Sequence, residues 1–259
     1  MNRQIKKHLY SGYLSLKKEW VFSFNFVMTL LTLAIQAVIY LFMLDHIFPT
    51  GSALSAVELT AYYVIVNFVS ITISPAMYVA YDHMVAINTG DIILDFVKPA
   101  SCVIRRYVTT FFPTLLKLLL NLLVVLVMQI YVLDQFELRS VGLGVFSTLL
   151  AFSILYFWQG IVGCMAIYFH DITRIRDVIN SLGMVLGGKL LPSALLWGDL
   201  KNIAYWTPFP YIYDVPTNFF LGHMNYTYLT VQALWVLFLG TLYSVLFKFF
   251  VQRNIEYGG

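Results

Sequence analysis

A glycine-rich stretch ending in lysine, Gly183-Met184-Val185-Leu186-Gly187-Gly188-Lys189, has the spacing of a phosphate-cradling P-loop. The chemistry fails at the next position, where Leu190 stands in place of the Ser or Thr hydroxyl that would hold magnesium. The stretch also lies in an apolar helical pattern with no strand before it, so its amides are not presented to an anion. Gly183 and Gly187 read instead as points where neighbouring helices approach closely. Lys189 is either a lysine snorkelling to an interface or a functional cation, because a charge in an apolar span is costly to keep.

No other constellation carries catalysis. His8, His46, His83, His170 and His223 are dispersed, without the pair spacing of a zinc enzyme. Cys102 and Cys164 have no metal-type neighbours. No two carboxylates are spaced for general acid–base work beside a partner. Asn225-Tyr226-Thr227 matches a glycosylation sequon, a pattern short enough to recur by chance. We therefore expect no catalytic, cofactor-binding or metal-binding residues in this chain. The net charge of +3, with no basic stripe, gives no footprint for nucleic acid.

The elements that must position these residues are membrane helices. Of 259 residues, 60% are apolar and 11% charged, against about 25% charged in soluble domains. Too few charges exist to cover a water-facing surface. A crossing needs roughly 20 apolar residues, and the pattern predicts six spans in a single transmembrane domain, 1–259. They fall at about 20–44, 59–80, 108–133, 141–169, 178–197 and 227–250. Pro75 is expected to kink the second near one end. Gly183, Gly187, Gly188 and Pro192 interrupt the fifth. The segment 198–225, with Pro208, Pro210 and Pro216, reads as outer re-entrant helices. Before the first span, Ile5, Leu9, Tyr13 and Leu16 recur at helical spacing among lysines, predicting an amphipathic interfacial helix over 4–19. The fold class is thus an all-α integral membrane protein.

Basic residues set the sidedness. Arg3, Lys6, Lys7, Lys17 and Lys18 precede the first span; Lys98, Arg105 and Arg106 follow the second; Arg174 and Arg176 follow the fourth; Lys248 and Arg253 close the sixth. Basic short loops stay cytoplasmic, so both termini are expected inside. Amides recur within the spans, notably Asn67, Asn121, Gln129 and Gln159. Each reads as glue between helices, with Asn67 and Gln159, like Lys189, kept as candidates for a polar path. Tyrosine pairs such as Tyr62 with Tyr63 and Tyr211 with Tyr213 read as aromatic belts.

The polar loop after the second span contains a short helix over 90–98, bracketed by Gly90 and Pro99. Asp91 and Asp95 lie one turn apart, and Ile92, Ile93, Phe96 and Val97 supply an apolar face. An apolar anchor ringed by charge is suited to docking on a partner, or to resting on the membrane.

Three segments carry a resemblance: Gly90–Pro99; Arg176 through Pro192 continued into Pro208–Pro216 and Leu221-Gly222; and the ending Arg253–Gly259. Together with the six-span plan they resemble the membrane-spanning permease subunit of type-2 ABC (ATP-binding cassette) exporters, a bacterial branch long of unknown function. The resemblance implies that 90–98 is a cytoplasmic coupling helix seated on an ATPase. Asp91, Asp95, Phe96 and Arg105 would make or support that contact. It implies two copies of the ATPase, which hold ATP and magnesium, and a second permease chain, identical or homologous. It implies export of an amphiphilic, peptide or drug-like substrate across the bacterial cytoplasmic membrane. The alternative is a secondary transporter of small molecules without an ATPase. Such proteins pair broken helices in their two halves, and only Gly183–Pro192 is plainly broken here.

Overall fold

The computed structural model describes residues 10, 12–14, 31, 35, 56–93, 102–131, 137–196, 198–223 and 225–252. These residues form helices and turns, with no strand among them. In chain order they are α1 (Ala56–Met77), α2 (Val79–Asn88), α3 (Cys102–Tyr131), α4 (Leu138–Cys164), α5 (Ala166–Phe169) and α6 (Thr173–Leu186). A 3-10 turn (Ser193–Leu195) precedes α7 (Asp199–Tyr205), α8 (Asp214–Phe220) and α9 (Thr227–Leu246), which runs into a π-helical turn at Phe247–Gln252.

Three helical runs among the described residues are long and apolar enough to cross a membrane: Glu58–Asn88, Leu138–Phe169 and Thr227–Phe249. Their 31, 32 and 23 residues meet the requirement of roughly 20. The protein is all-helical in this region, membrane-associated and multi-pass.

The expected six crossings are corrected to three among the described residues. The expected first span, 20–44, lies outside them apart from residues 31 and 35. Over the expected third span runs α3, a continuous helix of 30 residues that carries Arg105, Arg106 and Lys117 and is not one of the three. The expected fifth span fails for a physical reason. α6 has 14 residues, a length of about 21 Å against a hydrocarbon thickness of about 30 Å. It stops at Gly187, whose added Cβ would collide with the Gly183 carbonyl, and Gly188 follows with φ +85°.

The expected re-entrant helices over 198–225 are also corrected. The segment holds two seven-residue helices, α7 and α8, and no re-entrant loop among the described residues. Pro208 and Pro210 fall between them, where missing amide hydrogens prevent one continuous helix. Pro216 sits in the first turn of α8, where no amide donor is needed. Of the interfacial helix over 4–19, Tyr10 and 12–14 are described and are helical; the rest lies outside the described residues. Of the coupling helix over 90–98, description ends at Ile93, after one turn closed by the Ile93 amide donating to the Gly90 carbonyl.

α4 is the centre of the bundle. Its glycines admit side chains from three partners: Phe220 of α8 at Gly144, Tyr243 of α9 at Gly160, and His83 of α2 at Gly163. A Cβ on Gly163 would stand 2.7 Å from His83 Cβ and 3.2 Å from Ala80 Cα, so only glycine lets α2 and α4 meet this closely. Around that seam packs an aromatic core of Tyr107, Phe152, Tyr156, Tyr243 and Phe247.

Pro75 lies inside α1, and the helix breaks three residues later at Tyr78. The Ile71 carbonyl, which loses the Pro75 amide as its helical partner, accepts a hydrogen bond from Ser74 Oγ at 2.8 Å. Lys117 Nζ of α3 donates to the same Oγ at 3.2 Å. At one end of the bundle, Asn88 Nδ2 donates to the His170 carbonyl at 2.7 Å, joining the exits of α2 and α4. At the other, Gln129 Nε2 of α3 donates to the Phe220 carbonyl at 2.6 Å.

Candidate functional site

The site is built on Asp214, the first residue of α8, whose side chain is fully buried. Its amide donates to the Gly187 carbonyl at 3.0 Å, which fixes α8 against the end of α6. Tyr62 of α1 brings its hydroxyl 2.7 Å from Asp214 Oδ1 and 2.8 Å from the Gly188 carbonyl oxygen. Ser193 Oγ and Tyr205 Oη donate to Oδ2 at 2.7 and 2.8 Å, and the Ser193 amide reaches Oδ1 at 3.4 Å. One carboxyl thereby ties together α1, the 187–193 turn, the end of α7 and the start of α8. A Cβ on Gly188 would stand 2.7 Å from Tyr62 Oη and 2.9 Å from Asp214 Cβ, so the hub requires glycine there. Tyr63 adds a second clasp, its hydroxyl donating to the Leu190 carbonyl at 3.1 Å.

Beside the hub lies an open cleft of about 470 Å³, lined by Lys201, Asn202, Tyr205, Trp206, Tyr211 and Tyr228 among others. Its size falls in the range of small-molecule sites. The rings of Tyr205, Tyr211 and Tyr228 pack on one another with centroids 5.6–6.5 Å apart, and Trp206 is 85% exposed. Tyr205 belongs to both features: its ring lines the cleft and its hydroxyl holds Asp214. From the other side Gln232 of α9, fully buried, donates through Nε2 to the Tyr211 carbonyl at 2.8 Å and accepts from Ser147 Oγ of α4 at 2.8 Å. The cleft wall is therefore fastened to both α1 and α4.

Of the residues singled out from sequence, Lys189 comes nearest to this unit. It lies on the turn beside Gly188, its Nζ 5.9 Å from the centre of the Tyr213 ring, and burial pushes its pKa below the usual lysine value. Asn67 makes a local bond within α1, Nδ2 donating to the Tyr63 carbonyl at 2.8 Å. Gln159 joins α4 to α6, Nε2 donating to Asn180 Oδ1 at 2.6 Å, while its buried Oε1 has no partner among the described residues. Asp91 is exposed and accepts from Thr89 Oγ1 at 2.9 Å. Arg105 lies in the first turn of α3 and belongs to neither hub nor cleft. Asp95 and Phe96 lie outside the described residues.

Sequence reading missed Asp214, Ser193 and the roles of Tyr62 and Tyr205. Tyr62, Tyr63, Tyr211 and Tyr213 are not belt residues; they are 3–7% exposed. The available signal was a carboxylate set between Pro210 and Pro216 among tyrosines and phenylalanines, since such a charge needs buried partners. Among the described residues no group of three or more His, Cys, Asp and Glu is placed to hold a metal ion.

No protein-family model matches this chain, and no curated protein matches it. Fold and site define a class only: a helical, membrane-associated, multi-pass protein with a buried polar hub beside an open aromatic cleft.

Proposed function

We propose that the chain is the permease subunit of a type-2 ABC exporter. It moves an amphiphilic, peptide or drug-like substrate across the bacterial cytoplasmic membrane, and a separate ATPase drives it. The observation that carries this reading is the unity of the segment that carries the resemblance. Its two halves, 176–192 and 208–222, meet where the Asp214 amide donates to the Gly187 carbonyl and where Tyr62 Oη contacts both the Gly188 carbonyl and the Asp214 carboxyl. Tyr211 of the second half lines an aromatic cleft sized for a small amphiphile, whose other walls come from 201–206 and 227–231.

Energy enters at the other end of the chain's helices. The exits of α2 and α4 lie together, Asn88 against His170. The basic residues Arg105, Arg106, Arg174 and Arg176 follow those exits. In this reading they are cytoplasmic, and the 90–98 helix between α2 and α3 docks on the ATPase. Binding of nucleotide-dependent ATPase states to two packings of the bundle then shifts the balance between them. Asp91, Asp95, Phe96 and Arg105 are the contact residues of this proposal.

The test is co-purification of the chain with the ATPase encoded beside it. Wild type is expected to retain the ATPase, and Phe96→Asp to lose it while keeping its own melting temperature. Unchanged complex formation by Phe96→Asp contradicts the docking role. One observation favours secondary transport instead: a titratable group, Asp214, at the centre of the bundle's polar contacts. Transport driven by an ion gradient without the ATPase is the result that selects it.

A further inference from the structure

The walls of the open cleft sort its polar groups into two sets. Tyr205, Trp206, Tyr211 and Tyr228 supply most of the described lining, and Val231 is the one aliphatic side chain in it. Two of the tyrosines spend their hydroxyls elsewhere: Tyr205 Oη donates to Asp214 Oδ2 at 2.8 Å, and Tyr211 Oη donates to the Tyr205 carbonyl at 3.2 Å. These two residues therefore offer a ligand their rings. The other set comprises the Lys201 ammonium, the Asn202 amide, the Trp206 indole N–H and the Tyr228 hydroxyl. None of these four side chains makes a hydrogen bond among the described residues. Each has a proton to donate, and the ammonium and the indole can only donate.

Charge has one sign in the cleft. Lys201 is the one charged residue of the described lining. Asp199 stands two positions before it on α7, a spacing at which helical side chains do not face each other, and does not line the cleft. The Asp214 carboxyl does not line it either, being taken up by Tyr62, Ser193 and Tyr205. A cationic ligand, which aromatic rings alone would attract, meets the like charge of Lys201 here. An acyl chain finds a single aliphatic neighbour. An anion fixed to a flat ring satisfies both sets at once, its charge meeting the donors and its ring packing on the aromatic side chains. The wall is also fixed in advance: Gln232 holds the Tyr211 carbonyl and Asp214 holds Tyr205, so a ligand does not have to order them.

We infer that the cleft binds an aromatic anion, a carboxylate, sulfonate or phosphate carried on a flat ring, with Lys201 reading the charge and Trp206 stacking on the ring. This narrows the amphiphile of the proposed export and rests on the cleft being that substrate's site.

The test is titration calorimetry of the full chain in phosphatidylcholine nanodiscs, without ATPase or nucleotide and with empty nanodiscs as the blank. The probes are naphthoate, its neutral counterpart naphthylmethanol, its cationic counterpart naphthyltrimethylammonium, and cyclohexanecarboxylate, which keeps the charge and lacks the aromatic ring. Naphthoate is expected to bind one site per chain, about fivefold or more tighter than each of the others. Lys201→Met should weaken naphthoate about fivefold and leave naphthylmethanol unchanged, whereas Trp206→Ala should weaken both. Lys201 and Trp206 are exposed and hold no bond of the hub, so both variants should fold. The inference is overturned by absence of saturable naphthoate binding, or by any other probe binding as tightly as naphthoate. It is overturned equally if Lys201→Met leaves naphthoate unchanged or weakens naphthoate and naphthylmethanol alike. ATP-driven transport of a neutral amphiphile alongside such a result leaves the exporter reading standing. Lys201-dependent naphthoate binding without ATP-driven transport leaves the specificity of the cleft standing and removes the exporter reading.

Discussion

At the residue scale the protein is organised by one buried acid and the hydroxyls that meet it. Tyr62→Phe removes the donor to Gly188 and leaves a buried carbonyl and a carboxyl each short of a partner. A loss of about 1–3 kcal/mol is expected, read as a lower midpoint in thermal unfolding in detergent. Tyr63→Phe removes one partly buried bond and should cost about 1 kcal/mol. Lys189 gives a pH signature. Burial lowers its folded-state pKa, so over the window between that value and the ordinary lysine range the unfolded chain binds more protons than the folded one. Stability should therefore rise with pH in that window in wild type, and this part of the rise should be absent in Lys189→Met; melting curves from neutral to alkaline pH compare the two. Lys189 was legible in the sequence because a charge in an apolar stretch stands out. Asp214 was not, because what marks it is convergence of Tyr62, Ser193 and Tyr205 from 9 to 152 residues away along the chain.

At the element scale the decisive residues are small. Gly163→Ala places a methyl against His83 Cβ and Ala80 Cα, neither of which can swing aside. His83 is itself fixed, Nδ1 donating to the Val79 carbonyl and Nε2 accepting from Tyr243 Oη, both at 2.7 Å. Overpacking of this kind costs about 1–3 kcal/mol. Gly142→Ala on the same helix meets nothing within 4 Å and should be neutral, so the two melting temperatures check the claim. Hydropathy located the long helices well: the expected spans at 59–80, 141–169 and 227–250 overlay the three apolar runs found. It failed at 178–197, because summed apolarity does not register that Gly187 and Gly188 end a helix by close contact with Tyr213 and Asp214. It failed likewise at 198–225, where proline and aromatic content is common to interfacial segments and to short buried helices such as α8.

At the scale of the whole molecule, composition was enough for membrane association. Nothing in the pattern gave the central place of α4 or the joining of 187–193 to 214, which are properties of packing. The hub, the cleft and the paired exits of α2 and α4 are joined through the same packed helices, which is what the proposed coupling of a push at one end to a site at the other requires. The most direct measurement is transport by the chain reconstituted in lipid vesicles with the proposed ATPase partner and a fluorescent amphiphile as cargo. The account predicts movement of the amphiphile that needs ATP and the ATPase, and that falls at least tenfold in Phe96→Asp, a loss of about 1.4 kcal/mol or more in coupling. Movement at the same rate without ATPase or ATP, driven by an imposed ion gradient, would contradict it.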